Sequence, residues 1–236
     1  MAFVIALLIV FPASWLRRAL PAGAQCGSWN GSLWRGQCNG LTWTVAGKPP
    51  VRIDSLSWRV QPLALLRARL QADTQLNAAG LQARGRITTG RGDLRIDALS
   101  AAGLIDHNLL GALPAGWKAR LETRDAVVEL QGRTLHQLAG TLTARDITDE
   151  HGMSLGDYQL QFAPQPGAPF NGTLHDLGGP IHLTARLTIQ ADRAWTLDGE
   201  ATLRPGSPPQ LARMLDQLNT ADLSGRRRIL LEGVVN

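Results

Sequence analysis

The sequence predicts a mainly β protein: a curved, largely antiparallel sheet of β-groove or open-barrel-like type, with one or two short helices, preceded by an N-terminal transmembrane anchor. Three observations carry this expectation. Most of the 236 residues fall into short runs in which apolar and polar side chains alternate, the period of a half-buried strand, and these runs amount to roughly ten to thirteen strands. One stretch near the C-terminus has the period of an amphipathic helix instead. The chain begins with an uncharged apolar run closed by Arg17-Arg18.

Composition bounds the rest. A hydrophobic content of 44% with 18% charged residues is that of a folded chain and excludes wholesale disorder. The net charge of +5 comes almost entirely from arginine, Lys48 and Lys118 being the lysines. A nucleic-acid surface needs a basic stripe interleaved with aromatics. The tightest cluster, Arg226-Arg227-Arg228, has no aromatic neighbour, so the charge reads as a mildly basic solvated surface.

Residues 2–16, AFVIALLIVFPASWL, carry no charge. Fifteen residues are short against the roughly 20 that a bilayer span needs, but the span reaches Leu20 if Arg17 and Arg18 snorkel, which puts Trp15 at the interface. The rival reading is a cleaved signal peptide, with Ala22-Gly23-Ala24 as the small-residue site. A basic pair between apolar core and cleavage site favours the uncleaved anchor. The expected organisation is therefore an anchor over 1–20, a linker over 21–30 and an exported β-rich body over 31–236.

The linker and the start of the body contain both cysteines, Cys26 and Cys38, in a glycine-rich stretch. Zinc would need about four ligands, and no histidine lies near; a redox pair is usually C-x-x-C. A structural disulfide in an oxidising compartment is the expectation, against two free thiols as the alternative.

Along the body, LTWTV (41–45) alternates as a strand and is broken at Gly47-Lys48-Pro49-Pro50. In VRIDSLSWRV (51–60) the apolar parity switches between Ile53 and Leu56, predicting a bulge near Asp54-Ser55 or two buried faces. Pro62 opens a helical turn, PLALL. Strands follow over 67–76, 80–87 and 93–99, then a short helix or loop cover over 104–113. Further strands are expected over 118–123 and 126–130, pairing with each other across Arg124-Asp125, and over 135–144 and 158–162. The Pro/Gly loop at 164–169 is the candidate for an internal boundary. Residues 181–190 and 195–203 alternate in step across Ala191-Asp192-Arg193, an antiparallel pair with one wet face. Ser207 and Pro208 read as N-cap and N1 of a helix bearing Leu211, Met214, Leu215 and Leu218 at helical spacing. Ser224-Gly225 ends that segment, and 228–235 is a last strand.

Catalytic motifs are not found. The histidines at 107, 136, 151, 175 and 182 are scattered, and there is no G-x-S-x-G and no phosphate-binding glycine loop ahead of a helix. The group Asp146, Asp149, Glu150 and His151 reads as a solvated loop ahead of Gly152. No cofactor and no metal is expected.

Four features together resemble the type II secretion system protein N (GspN) family of Gram-negative bacteria. They are the anchor and linker; Gly31-Ser32-Leu33-Trp34-Arg35-Gly36, similar to that family's G-T-L-W-x-G; Leu56-Ser57-Trp58-Arg59-Val60-Gln61-Pro62-Leu63-Ala64-Leu65-Leu66, similar to L-x-W-R-x-x-P-x-x-L-L; and the C-terminal helix followed by Asp222-Leu223-Ser224-Gly225-Arg226 and a closing strand. The residues carried over are Gly31, Leu33, Trp34, Gly36, Trp58, Arg59, Pro62, Leu65, Leu66 and Gly225. The chain departs from the pattern in lacking a basic N-terminal tail and in having the cysteine pair. The resemblance implies a non-enzymatic, single-pass inner-membrane accessory component of the secretion machine. Its β-domain would be periplasmic and would contact the secretin or the inner-membrane platform proteins. The same motifs resemble the wider AsmA-like envelope proteins, which implies the alternative of a lipid-binding β-groove.

Overall fold

The computed structural model describes residues 11–18, 20–44, 50–90, 92–106, 116–132 and 134–234. The expected apolar anchor over 1–20 lies largely outside them, as do the break at 45–49 and most of the expected cover over 104–113. Among the described residues, no helix is long and apolar enough to cross a membrane.

Thirteen strands form one antiparallel sheet in which each strand pairs with its neighbours in sequence, so the sheet is an open meander from β1 to β13. They are β1 (Ala24–Gly31), β2 (Arg35–Trp43), β3 (Val51–Val60), β4 (Leu70–Ala78), β5 (Leu81–Gly90), β6 (Asp93–Asp106), β7 (Lys118–Gln131), β8 (Thr134–Thr148), β9 (Ser154–Phe162), β10 (Phe170–Gly178), β11 (Ile181–Ile189), β12 (Ala194–Leu203) and β13 (Arg226–Val234). Two helices interrupt the meander: α1 (Pro62–Leu65) between β3 and β4, and α2 (Pro209–Leu218) between β12 and β13. A 3-10 turn, Ala13–Arg18, precedes β1.

Several expectations change here. Residues 24–30, expected as linker, belong with Gly31 to the first strand, an edge strand whose inward-facing backbone groups pair with β2. Residues 104–106, expected as part of a helix or loop cover, end β6. At the loop 164–169, the candidate for an internal boundary, β9 and β10 pair directly with each other. Helix α2 is capped by Pro208 rather than Ser207. The Ser207 hydroxyl instead lies within hydrogen-bond reach of the carbonyls of Pro180 and Arg204, 2.7 Å from each.

Paired residues share a face, and one row crosses the whole sheet: Trp29, Cys38, Leu56, Leu76, Ala83, Ala101, Thr123, Leu142, Leu160, Leu174, Ala185, Gly199 and Ile229. Every member but Thr123 is apolar or small, and the Thr123 hydroxyl donates to the Thr141 carbonyl. The next row, on the opposite face, reads Asn30, Gln37, Ser57, Gln75, Arg84 and Ser100 across β1–β6. It resumes as Arg124, Thr141, Gln161, Thr173, Arg186, Asp198 and Leu230 across β7–β13. Alternation along each strand thus builds one apolar and one polar face.

Keeping one face apolar over long strands requires corrections of phase. Gly85, Ala98, Asp125 and Gly140 lie at one level of β5–β8, where the register shifts; Ala98, Asp125 and Gly140 have positive φ. A second level joins Asp146, Gly156 and Gly178 in β8–β10. Each such bulge resets the parity, so that Ile96 and Leu99 both reach the apolar face, and each bends and twists its strand. The parity switch expected in β3 occurs without a break in pairing to β2, whose Cys38 and Leu41 are both buried around Gly40 at φ 66°.

Burial concentrates at the two ends of the apolar face. Leu211 and Leu215 of α2 pack on Ile181, Ala201 and Ile229 at one end. At the other, the 3-10 turn rests on β1 and β2 with Ala13 buried.

Candidate functional site at the junction of the first three strands

The structure brings together the two motifs that lie far apart in sequence. Gly31 is held at φ 83°, and a Cβ there would lie 2.4 Å from the Arg35 carbonyl oxygen, so only glycine admits the tight β1–β2 turn. The turn closes through the Ser32 amide on the Arg35 carbonyl (2.9 Å), and the Ser32 hydroxyl accepts the Arg35 amide (3.2 Å). Leu33 and Trp34 are then displayed at the turn. The Leu33 amide donates to the Phe11 carbonyl (2.7 Å), tying the N-terminal segment to the junction, while its carbonyl accepts the Trp58 indole Nε1 (2.9 Å). The Trp34 carbonyl accepts the Val60 amide (2.7 Å).

Gly36 pairs with Trp58, and Arg35 with Arg59. A Cβ on Gly36 would come 2.5 Å from the Trp58 ring. The second glycine of the first motif is therefore the floor on which the tryptophan of the second motif lies. Trp29 meets the same ring edge-on at 6.0 Å between centroids, a favoured aromatic geometry. Cys26 and Cys38 form a disulfide with Cα atoms 6.0 Å apart, bridging β1 and β2 diagonally on the apolar face.

The junction has two unlike sides. On the apolar face, Leu16, Leu20, Trp29, Cys38, Leu41, Leu56, Trp58 and Thr74 enclose a cavity of about 210 Å³. On the polar face, Asn30, Arg35, Gln37, Ser57, Arg59, Asp73, Gln75 and Arg84 line an open pocket of about 490 Å³. Asp73 is the carboxylate of that pocket. It accepts from Arg86 Nε (2.8 Å) and Gln61 Nε2 (3.2 Å). The Arg86 guanidinium, above all, holds its carboxyl below the ordinary value, with Arg59 adding to the effect.

The remaining motif residues are placed elsewhere. Pro62 opens α1, and Leu65 and Leu66 just beyond it are exposed, at 43% and 85%. Gly225, at φ 78°, belongs to the turn before β13 at the far end of the sheet. Asp149, of the acidic group at 146–151, accepts the amides of His151 (3.0 Å) and Met153 (2.7 Å) and so shapes a turn. Sequence reasoning passed over Arg84 and Gln75. Their signal was their place in the polar alternation, which becomes a site only once strand register is known.

A sequence model of the type II secretion system (T2SS), protein N, matches residues 22–230, from just before β1 into β13. No curated protein and no solved structure matches the chain.

Proposed function

The chain belongs to the type II secretion system protein N family, and from that membership we propose that it serves the secretion machine as a structural accessory, contacting the secretin or the inner-membrane platform proteins. The observation that carries the reading is the extent of the match, which takes in the paired motifs of the junction and nearly the whole sheet. In this reading residues 1–20 anchor the protein in the inner membrane in a single pass, and the sheet lies in the periplasm. The Cys26–Cys38 disulfide fits that oxidising compartment. The role is one of binding and assembly, without turnover or cofactor.

Mild crosslinking of the full chain in membranes, followed by affinity purification, tests this. Recovery of the secretin or a platform protein is the expected result. A detergent extract that contains the chain with none of them overturns the proposed contact. A second reading, a lipid-binding groove, is favoured by the apolar row that crosses all thirteen strands. Its expected outcome is lipid retained by gently extracted protein in mass spectrometry, and a lipid-free preparation refutes it.

A further inference from the structure

The polar side of the junction gathers three arginines, Arg35, Arg59 and Arg84, around a single carboxylate, Asp73. Arg35 and Arg59 are directly opposed on β2 and β3. Like charges in that relation repel. Arg84 of β5 stands in the adjoining polar row, after Ser57 and Gln75. Arg59 stands directly across from Asp73 on β4 and acts on its carboxyl without an ion pair at contact distance; among the described residues Arg35 and Arg84 have no acidic partner, whereas other arginines of the polar face do, such as Arg86 with Asp73 and Arg228 with Asp198. The pocket's one carboxylate, Asp73, accepts from Arg86 and Gln61 and faces Arg59 as well, so positive charge exceeds negative charge there. All three arginines line the same 490 Å³ pocket, with Asn30, Gln37 and Gln75 adding neutral hydrogen-bonding groups.

We propose that this pocket is an oxyanion site for a phosphate group, with Arg35, Arg59 and Arg84 as its ligands. Guanidinium groups match phosphate in shape and charge, and each can donate two parallel hydrogen bonds. Arginines arriving from three strands suit a tetrahedral anion with several acceptor oxygens better than a two-oxygen carboxylate. A bound anion would also turn the Arg35–Arg59 opposition from a cost into a bridge. The phosphate can be free or can belong to the headgroup of an anionic lipid, and the test separates the two.

The full chain in an uncharged detergent is titrated with inorganic phosphate and, separately, with short-chain phosphatidylglycerol below its micelle concentration. Saturable binding of at least one probe is expected, weakening as salt is raised. Losing a charge-assisted hydrogen bond costs about tenfold in affinity, so the R35Q/R59Q pair is expected to bind at least about tenfold more weakly, and R84Q to weaken as well. Arg52→Gln, on β3 outside the pocket, is expected to bind as the parent. Without anion, Arg35→Gln alone is expected to be as stable as the parent or more so, because the repulsion from Arg59 is gone while Arg59 keeps its place opposite Asp73. Response to both probes identifies a free-phosphate site, and response to the lipid alone a headgroup site. The proposal is overturned if neither probe saturates, if R35Q/R59Q binds like the parent, or if Arg35→Gln is less stable than the parent without anion.

Discussion

Asp176 shows how much one side chain does in a sheet with little core. Its side chain is 3% exposed and sits where β10 bulges into the turn to β11. It accepts from the Leu183 amide (2.9 Å), lies 2.7 Å from His182 Nδ1, and pairs with Arg204 on the approach to α2. Burial pushes its carboxyl up, but the hydrogen bonds from Arg204, the Leu183 amide and His182 outweigh it and hold it below the ordinary value. A depressed carboxyl contributes stability that is present above its unfolded value, about 3.9, and is lost as pH falls through the folded value. Asp176→Asn is therefore expected to cost about 2 kcal/mol at neutral pH and to flatten the loss of stability below about pH 4. Denaturant unfolding across pH 2 to 7 checks both. The nearby Tyr158 hydroxyl donates to the Leu155 carbonyl (2.9 Å) and is pushed up to about 12, first by burial and then by the Asp176 charge.

At the scale of elements, the bulges do what strand propensity cannot. Ala98 is held at φ 50° in β6, a left-handed conformation that costs an L-residue roughly 1–2 kcal/mol. Gly140, two strands along the same level in β8, is at φ 126°, and a Cβ there would meet the Ala126 Cα at 2.7 Å. The two sites should respond in opposite directions. Ala98→Gly is expected to gain about 0.5–1 kcal/mol after the entropy that glycine costs the folded chain. Gly140→Ala is expected to lose about 2 kcal/mol or more. Thermal unfolding of the two variants checks the pair. The sequence carried the strands well, since alternation in residues 181–190 and 195–203 translates directly into the β11–β12 register. It carried the bulges poorly. The phase switch in VRIDSLSWRV was legible, and Arg124-Asp125 reads as a turn between two strands where the structure has a bulge inside β7; Ala98 looks like an ordinary strand residue, and its conformation is imposed by the strands paired on either side. The disulfide and the glycines of the first motif were legible as types. That Gly36 floors Trp58, or that Arg35 opposes Arg59, depends on register and was not.

For the molecule as a whole, consecutive pairing makes stability local. Among the described residues the largest fully buried side chains are Phe170 in β10, Leu211 in α2 and Cys38 in β2, far apart along the meander. Leu211→Ala removes a fully buried side chain from the cluster of α2 on β11–β13, where such truncations cost about 2–5 kcal/mol. In a globule with a single core that loss would spread to every strand. Here it is expected to speed amide exchange in α2 and β11–β13 while β2–β4 keep the parent's protection, which mass-resolved hydrogen exchange reads strand by strand. Uniform loss of protection would show instead that the sheet melts as one unit.

The meander also fixes an order of events. No strand of the sheet waits for a partner that comes late in the chain, since each pairs with the strand made just before it. Such local pairing avoids the loop-closure cost that slows sheets with distant partners. A chain appearing from its N-terminal end can therefore zip up behind its own leading edge. The staple between Cys26 and Cys38 and the turn at Gly31 stand at the start of that process, and α2 with β13 at its close. Assembly from one end suits any chain that becomes available to fold from its N-terminus onward.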